Sequence, residues 1–136
     1  MKILGFFCII WLSVVSASAL AQDAVPVSTG WVNDFAGVIS WEDTEVISKM
    51  IAQLKEKTGV EIAVATFKTI QPYDEAEFSR MIFDSWKIGK KKKDDGILIL
   101  LVVDDRLWRI STGYGMEGVL PDGLCGQIGR SHMLPY

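Results

Sequence analysis

The run from Ile97 to Val103 (Ile-Leu-Ile-Leu-Leu-Val-Val) constrains this chain more than any other segment. Seven aliphatic residues in a row are too short to span a bilayer and suit a strand buried on both faces. Asp94-Asp95-Gly96 before it and Asp104-Asp105 after it are turn formers, which fixes both ends. A strand of this kind sits in the middle of a sheet, so the rest of the chain must supply neighbouring strands and covering helices.

It supplies both. Val60 to Phe67 is β-branched and largely apolar, a second strand. Between the two lies a helical pattern that begins at Pro72 and the Asp74 cap, with Glu77 three residues on. Phe78, Ile82 and Trp86 share one side of it, Met81 lies beside them, and Gly89 stops it. A strand, a helix and a strand imply a parallel pair joined by a right-handed crossover. Upstream, Ser40 offers an N-cap with Glu42 and Asp43 in the first turn. Val46, Ile47, Met50, Ile51 and Leu54 follow at helical spacing until Thr58-Gly59, which predicts a helix from about Trp41 to Lys57. The segment from Trp31 to Ile39 is apolar but interrupted, and is read as extended. Downstream, Asp104-Asp105 turns the chain into Leu107 to Thr112, an antiparallel strand with one wetter face. Pro121 and Asp122 start a third helix that runs to about Met133. The expected class is α/β: a small mixed sheet with a parallel crossover, an antiparallel hairpin and helices packed on it, in two or three layers.

The first residues form a separate unit. Lys2, an apolar stretch from Ile3 to Val15 and the closing Ala19-Leu20-Ala21 have the layout of a secretory signal peptide, residues 1–21, with cleavage before Gln22. An uncleaved N-terminal anchor is the alternative, disfavoured by the shortness of the apolar core. Residues 22–30 are polar and small and read as a flexible lead-in, and residues 31–136 as one domain. Export through the Sec pathway would place that domain in the periplasm or outside the cell. From Gln22 onward 13 Lys and Arg face 17 Asp and Glu, a mildly acidic balance that argues against nucleic-acid binding. Only Cys125 remains after cleavage, so no internal disulfide can form. The end of the chain at Tyr136, directly after a helix and a proline, is read as a truncated C-terminus.

Several short motifs together resemble the TPM domain family. They are Val32-Asn33-Asp34-Phe35-Ala36-Gly37, Thr58-Gly59-Val60-Glu61-Ile62, Trp86-Lys87-Ile88-Gly89 with its lysine run, and Asp94-Asp95-Gly96. Asp104-Asp105-Arg106 and Gly113-Tyr114-Gly115-Met116-Glu117-Gly118-Val119-Leu120-Pro121-Asp122 complete the set. The resemblance covers about Val32 to Pro135, in the family's order. It implies an exported or membrane-tethered α/β domain. Relatives in the thylakoid lumen of plants are linked to photosystem repair and acid phosphatase activity, and calcium binding is reported in the family. An animal relative is an auxiliary protein of a receptor, and many bacterial members continue into a membrane helix, so a tether beyond this chain is one expectation. An envelope or membrane protein partner and a small phosphate ester are the ligands the resemblance suggests.

The topology sorts the acidic residues into two groups. Asp34, Asp104 and Asp105 fall at the carboxyl end of the parallel strands, where ligands of open α/β sheets favour a crevice. They are the expected metal ligands. Carboxylate oxygens suit a hard cation, Ca²⁺ or alternatively Mg²⁺, and a single His132 with a single Cys125 builds no standard structural zinc site. In an enzymatic reading Asp104 and Asp105 with Arg106 are the catalytic candidates, the metal polarising a phosphate whose charge Arg106 helps to neutralise. The plain alternative is a hairpin turn with a solvated arginine. The second group, at the opposite end, comprises Asp94, Asp95, Gly113, Gly115, Glu117 and Asp122. Its glycine loop precedes a helix start but lacks the Gly-Lys-Ser/Thr ending of a P-loop, and a structural loop is its plain alternative. Lys90 to Lys93 are read as a solvated loop or a docking patch for an anionic surface. Ser111 and Thr112 have no histidine placed to activate them.

Overall fold

In the computed structural model residues 24–89 and 94–133 are described; the leader expected over residues 1–21 and the run Lys90 to Lys93 lie outside them. The elements are β1 (Val32–Asp34), α1 (Trp41–Thr58), β2 (Glu61–Phe67), α2 (Glu75–Trp86), β3 (Gly96–Val102), β4 (Leu107–Thr112), a one-turn 3₁₀ helix (Tyr114–Met116) and α3 (Asp122–His132). One four-stranded sheet has the order β1-β2-β3-β4, with β1 and β3 parallel to β2 and β4 antiparallel to β3. The α/β class and the mixed sheet therefore match the reading of the sequence.

Local chemistry explains the boundaries. The Ser40 hydroxyl accepts from the Asp43 N–H at 3.0 Å and opens α1, with Glu42 and Asp43 complementing the helix dipole. Gly59 closes it in the left-handed region at φ 77, its N–H bonded to the Lys55 carbonyl. Asp74 caps α2 by accepting from the Glu77 N–H at 2.7 Å. That helix ends at Trp86, with Lys87 left-handed at φ 51 before Gly89. A Cβ on Gly89 would lie 2.6 Å from the Gly96 nitrogen, so the motif glycines let the chain after α2 press against the start of β3.

The core lies between α2 and one face of the sheet. Phe78 and Ile82 meet Ala63, Ala65, Phe67, Leu98, Leu100 and Val102, and Leu98, Leu100 and Val102 are fully buried. Each such side chain contributes about 1.5–3 kcal/mol by leaving water. Val25 joins this cluster and Pro26 accepts from the Trp86 indole N–H at 2.7 Å, so the lead-in is anchored over the core. Strand register puts Trp108 on the same face as Leu101, the face opposite that core. There α3 packs so closely that a Cβ on Gly129 would lie 1.9 Å from the Trp108 ring. With α2 on one face and α3 on the other, the three-layer form of the expected architecture is the one adopted.

Helix α1 departs from its sequence pattern. Of the apolar stripe only Ile51 is buried, while Val46, Met50 and Leu54 are 56%, 64% and 37% exposed. The periodicity gave the helix correctly; it gave no partner for most of the stripe.

Candidate functional site

Register places the first acidic group at one end of the sheet. Asp34 pairs with Thr66 in β2, and Phe67 pairs with Val102 in β3, so the loops after β1, β2 and β3 share the carboxyl rim. The Asp104 N–H donates to the Lys68 carbonyl at 2.9 Å, and the Asp105 carboxylate accepts from the Thr69 hydroxyl at 3.0 Å. Asp34 is committed to the backbone that leads into α1. Its carboxylate accepts from the N–H groups of Val38 at 3.1 Å and Ile39 at 2.9 Å and from the Thr66 hydroxyl. Burial disfavours its ionised form, but the bonds from Thr66, Ile39, Val38 and Gly37 outweigh that and hold its carboxyl below the ordinary range. Arg106, left-handed at φ 51, ends the hairpin turn and is exposed. The three acids thus share a rim, each with its own local contacts. Among the described residues no three His, Cys, Asp or Glu side chains are gathered to hold one metal ion.

The second acidic group faces a concavity. A cleft of about 450 Å³ lies between α2, the end of β4 and the glycine loop. Asp94, Glu117 and Asp122 line it, joined by Asp84 of α2; among the described residues Arg80 and Arg109 are the cations of its lining, with Ser111 and Thr112 adding hydroxyls. The glycine loop is laced to the turn before β3: Gly113 N–H donates to Gly96 at 2.9 Å and Gly115 N–H to Asp94 at 3.1 Å. A Cβ on Gly113 would stand 2.2 Å from the Asp94 carbonyl oxygen, so only glycine permits that approach. Asp95, in contrast, is buried at 8% exposure and does not line the cleft. The Glu117 carboxylate makes no hydrogen bond or ion pair with a described residue, and the loop satisfies its own backbone through bonds such as Met116 to Gly113 and Glu117 to Tyr114.

Two more concavities flank β4. One, of about 540 Å³, continues from the acidic cleft along the outer side of the strand, lined by Glu75, Arg106, Arg109, Asp122, Cys125 and Gly126 among others. The other, of about 630 Å³, is mostly apolar and opens on the α3 face over Val64, Ile99, Leu101 and Trp108. Cys125 is 3% exposed, and burial followed by the nearby Asp122 charge pushes its thiol pKa up, the reverse of a nucleophile's environment. His132 lies exposed on α3 with its Nδ1 3.1 Å from the Ile128 carbonyl. Trp41 is 73% exposed, whereas Trp86 packs half-buried against the core and Trp108 against α3.

Sequence reasoning missed Arg80 and Asp84. Charged residues on a helix read as a solvated face, and no local signal marks them. Only the phase of α2, fixed by Phe78 and Ile82 pointing into the core, swings 80 and 84 over the end of β4.

Comparison with known proteins agrees with this architecture. The TPM domain profile matches residues 32–136. The N-terminal domain of a protein from P. gingivalis, solved in solution by NMR, is 37% identical with a TM-score of 0.73, over 79% of this chain and 69% of that one. The N-terminal domain of the cg2496 protein from Corynebacterium glutamicum shares the fold, with a TM-score of 0.55 at 18% identity, over 67% of this chain and 58% of that one. No functionally curated protein matches the chain. The order of strands, the glycine-laced loop and the profile match agree: this chain belongs to the TPM domain family.

Proposed function

We propose that this TPM domain is a divalent-cation-binding accessory module of the cell envelope, with Ca²⁺ its cation and Mg²⁺ the alternative. One observation carries the reading: among the described residues four carboxylates, Asp84, Asp94, Glu117 and Asp122, line a single solvent-open cleft with two arginines, Arg80 and Arg109. The donors are carboxylate, hydroxyl and backbone oxygens, the set a hard cation prefers and zinc does not. The donor chemistry fits Ca²⁺, while no three acids are pre-gathered, so side chains must close on the ion. The affinity expected of such a site is that of extracellular calcium modules, a Kd of about 0.1–1 mM. The rim acids Asp34, Asp104 and Asp105 are the second candidate ligands. Calcium titration by calorimetry separates them. Glu117→Gln is expected to weaken binding at least tenfold and Asp104→Asn to leave it unchanged. The reverse result moves the ion to the rim, and no heat at 5 mM-scale calcium defeats cation binding altogether.

A second reading, metal-assisted hydrolysis of a phosphate ester, has its own support in Arg80 and Arg109 beside the same carboxylates. At the rim the corresponding set is Asp104, Asp105 and Arg106. Neither place has a histidine or an activated nucleophile, so a metal-bound water would have to attack. Hydrolysis of p-nitrophenyl phosphate that depends on calcium or magnesium and is lost in Glu117→Gln would favour the enzyme. Activity unchanged by that variant, or absent with metal bound, would leave the binding module.

A further inference from the structure

We infer that the lead-in from Val25 to Gly30 is a docked strap that shields the Ala21–Gln22 bond, so that the leader comes off before the domain closes and not after. This rests on the reading of residues 1–21 as a leader and not on cation binding. The composition of residues 22–30 reads as flexible, yet from Val25 onward the lead-in is tied down at two points. Val25 is 7% exposed and belongs to the core cluster with Phe78 and Ile82, and the carbonyl of Pro26 accepts from the Trp86 indole N–H at 2.7 Å. Asn33, fully buried in β1, makes the second point. Its side-chain oxygen accepts from the Thr29 N–H at 2.7 Å and the Ser28 hydroxyl at 3.1 Å. Its side-chain amide donates to the carbonyls of Gly30 at 3.0 Å and Val64 at 3.2 Å. Lifting the strap would leave the buried Asn33 oxygen without these donors, so the strap is held more firmly than its polar composition suggests.

Only Gln22, Asp23 and Ala24 separate the expected cleavage bond from the buried valine. Even fully extended, that stretch carries Gln22 no more than about 11 Å from Val25, Cα to Cα. A signal peptidase at the membrane adds water across the bond, leaving a carboxylate on Ala21 and an amine on Gln22. To do so it must hold the residues on both sides of the bond in extended form, and a docked segment takes that form only by opening locally. With Val25 seated, the enzyme meets the wall of the domain three residues past the bond. On an unfolded chain nothing obstructs it. The order of two events thereby sets the fate of the domain. Cleavage first gives a free domain; folding first leaves the leader attached.

The test uses the full chain folded in detergent micelles, a purified signal peptidase, and cleavage after Ala21 followed by mass spectrometry. A variant with Gly-Ser-Gly-Ser-Gly inserted between Asp23 and Ala24 keeps Val25, Pro26 and the Asn33 bonds but moves the cleavage bond away from the domain. It should be cut at least tenfold faster than wild type, at an unchanged urea midpoint. Val25→Asp, which unseats the strap, should also be cut at least tenfold faster. Tenfold corresponds to about 1.4 kcal/mol, no more than the burial of one valine supplies. If Val25→Asp fails to fold, the spacer variant decides. A synthetic peptide of residues 1–30 should be cut as fast as the spacer variant. Wild type cut within twofold of the spacer variant, with the peptide also cut, overturns the shielding and leaves the leader reading intact. A peptide that stays whole at Ala21 overturns the proposal together with the leader reading on which it rests.

Discussion

Replacing Gly129 by alanine tests how tightly α3 is seated, and therefore what holds Asp122 in the cleft. Gly129 is buried in α3, and an alanine Cβ there would lie 1.9 Å from two carbons of the Trp108 ring and 2.6 Å from a third. Ordinary contact begins near 3.5 Å, so the helix or the indole must move by more than 1.5 Å. Trp108 lies beside Leu101 on this face of the sheet, with α3 above it. Overpacking of this kind costs about 3 kcal/mol, and the better helix propensity of alanine returns up to about 1 kcal/mol. The net expectation is a loss of about 2 kcal/mol, near 8 °C in Tm for a domain of this size. Gly126→Ala on the same helix is the control. Its Cβ would meet only the flexible Arg130 guanidinium, at 3.0 Å, so the variant should be neutral or gain up to about 1 kcal/mol. Urea unfolding of both variants, and of Gly129→Ala with Trp108→Leu, gives the answer. The double variant should recover part of the loss relative to Trp108→Leu alone. Gly129→Ala as stable as Gly126→Ala would refute the close packing of α3 on β4.

Three further outcomes follow from individual residues. Asp34 is stabilised as the carboxylate, so its contribution is fully present above its unfolded pKa near 4 and is lost as pH falls through its lower folded value; urea midpoints of Asp34→Asn should fall less than wild type between pH 5 and pH 2. Met50→Gln, at a 64% exposed position of the α1 stripe, should change stability by no more than about 0.5 kcal/mol, and a loss above 2 kcal/mol would mean the stripe is buried. The Cys125 thiol should resist iodoacetamide in the native protein at pH 8 and react on unfolding; fast native labelling would contradict its burial.

How much of this was legible in the sequence depended on which physical signal each part leaves. The Ser40 and Asp74 caps, the Ile97–Val103 run and the Asp104-Asp105 turn are local, and the helices and long strands they delimit stand where expected. β1 left almost no signal, because three residues, Val32 to Asp34, carry no period. Their strand identity comes from pairing with Val64 to Thr66. The one-turn helix at Tyr114 was equally silent. Chain topology sufficed to put Asp34 and the 104–106 turn on one rim, but the direction of the Asp34 carboxylate, toward Val38, Ile39 and Thr66, is a side-chain matter that topology does not reach. The convergence of Asp94, Glu117 and Asp122 was half legible from their shared end of the sheet. The contribution of Arg80 and Asp84 needed the rotation of α2 about its own axis.

The most direct measurement is a calcium titration followed by amide shifts across the whole domain. If the cleft holds the ion, residues 94, 113–117 and 122 shift together with one saturating curve, while residues 34–39 and 104–106 stay still. Shifts confined to residues 34–39 and 104–106, or none at any calcium concentration, would contradict the account.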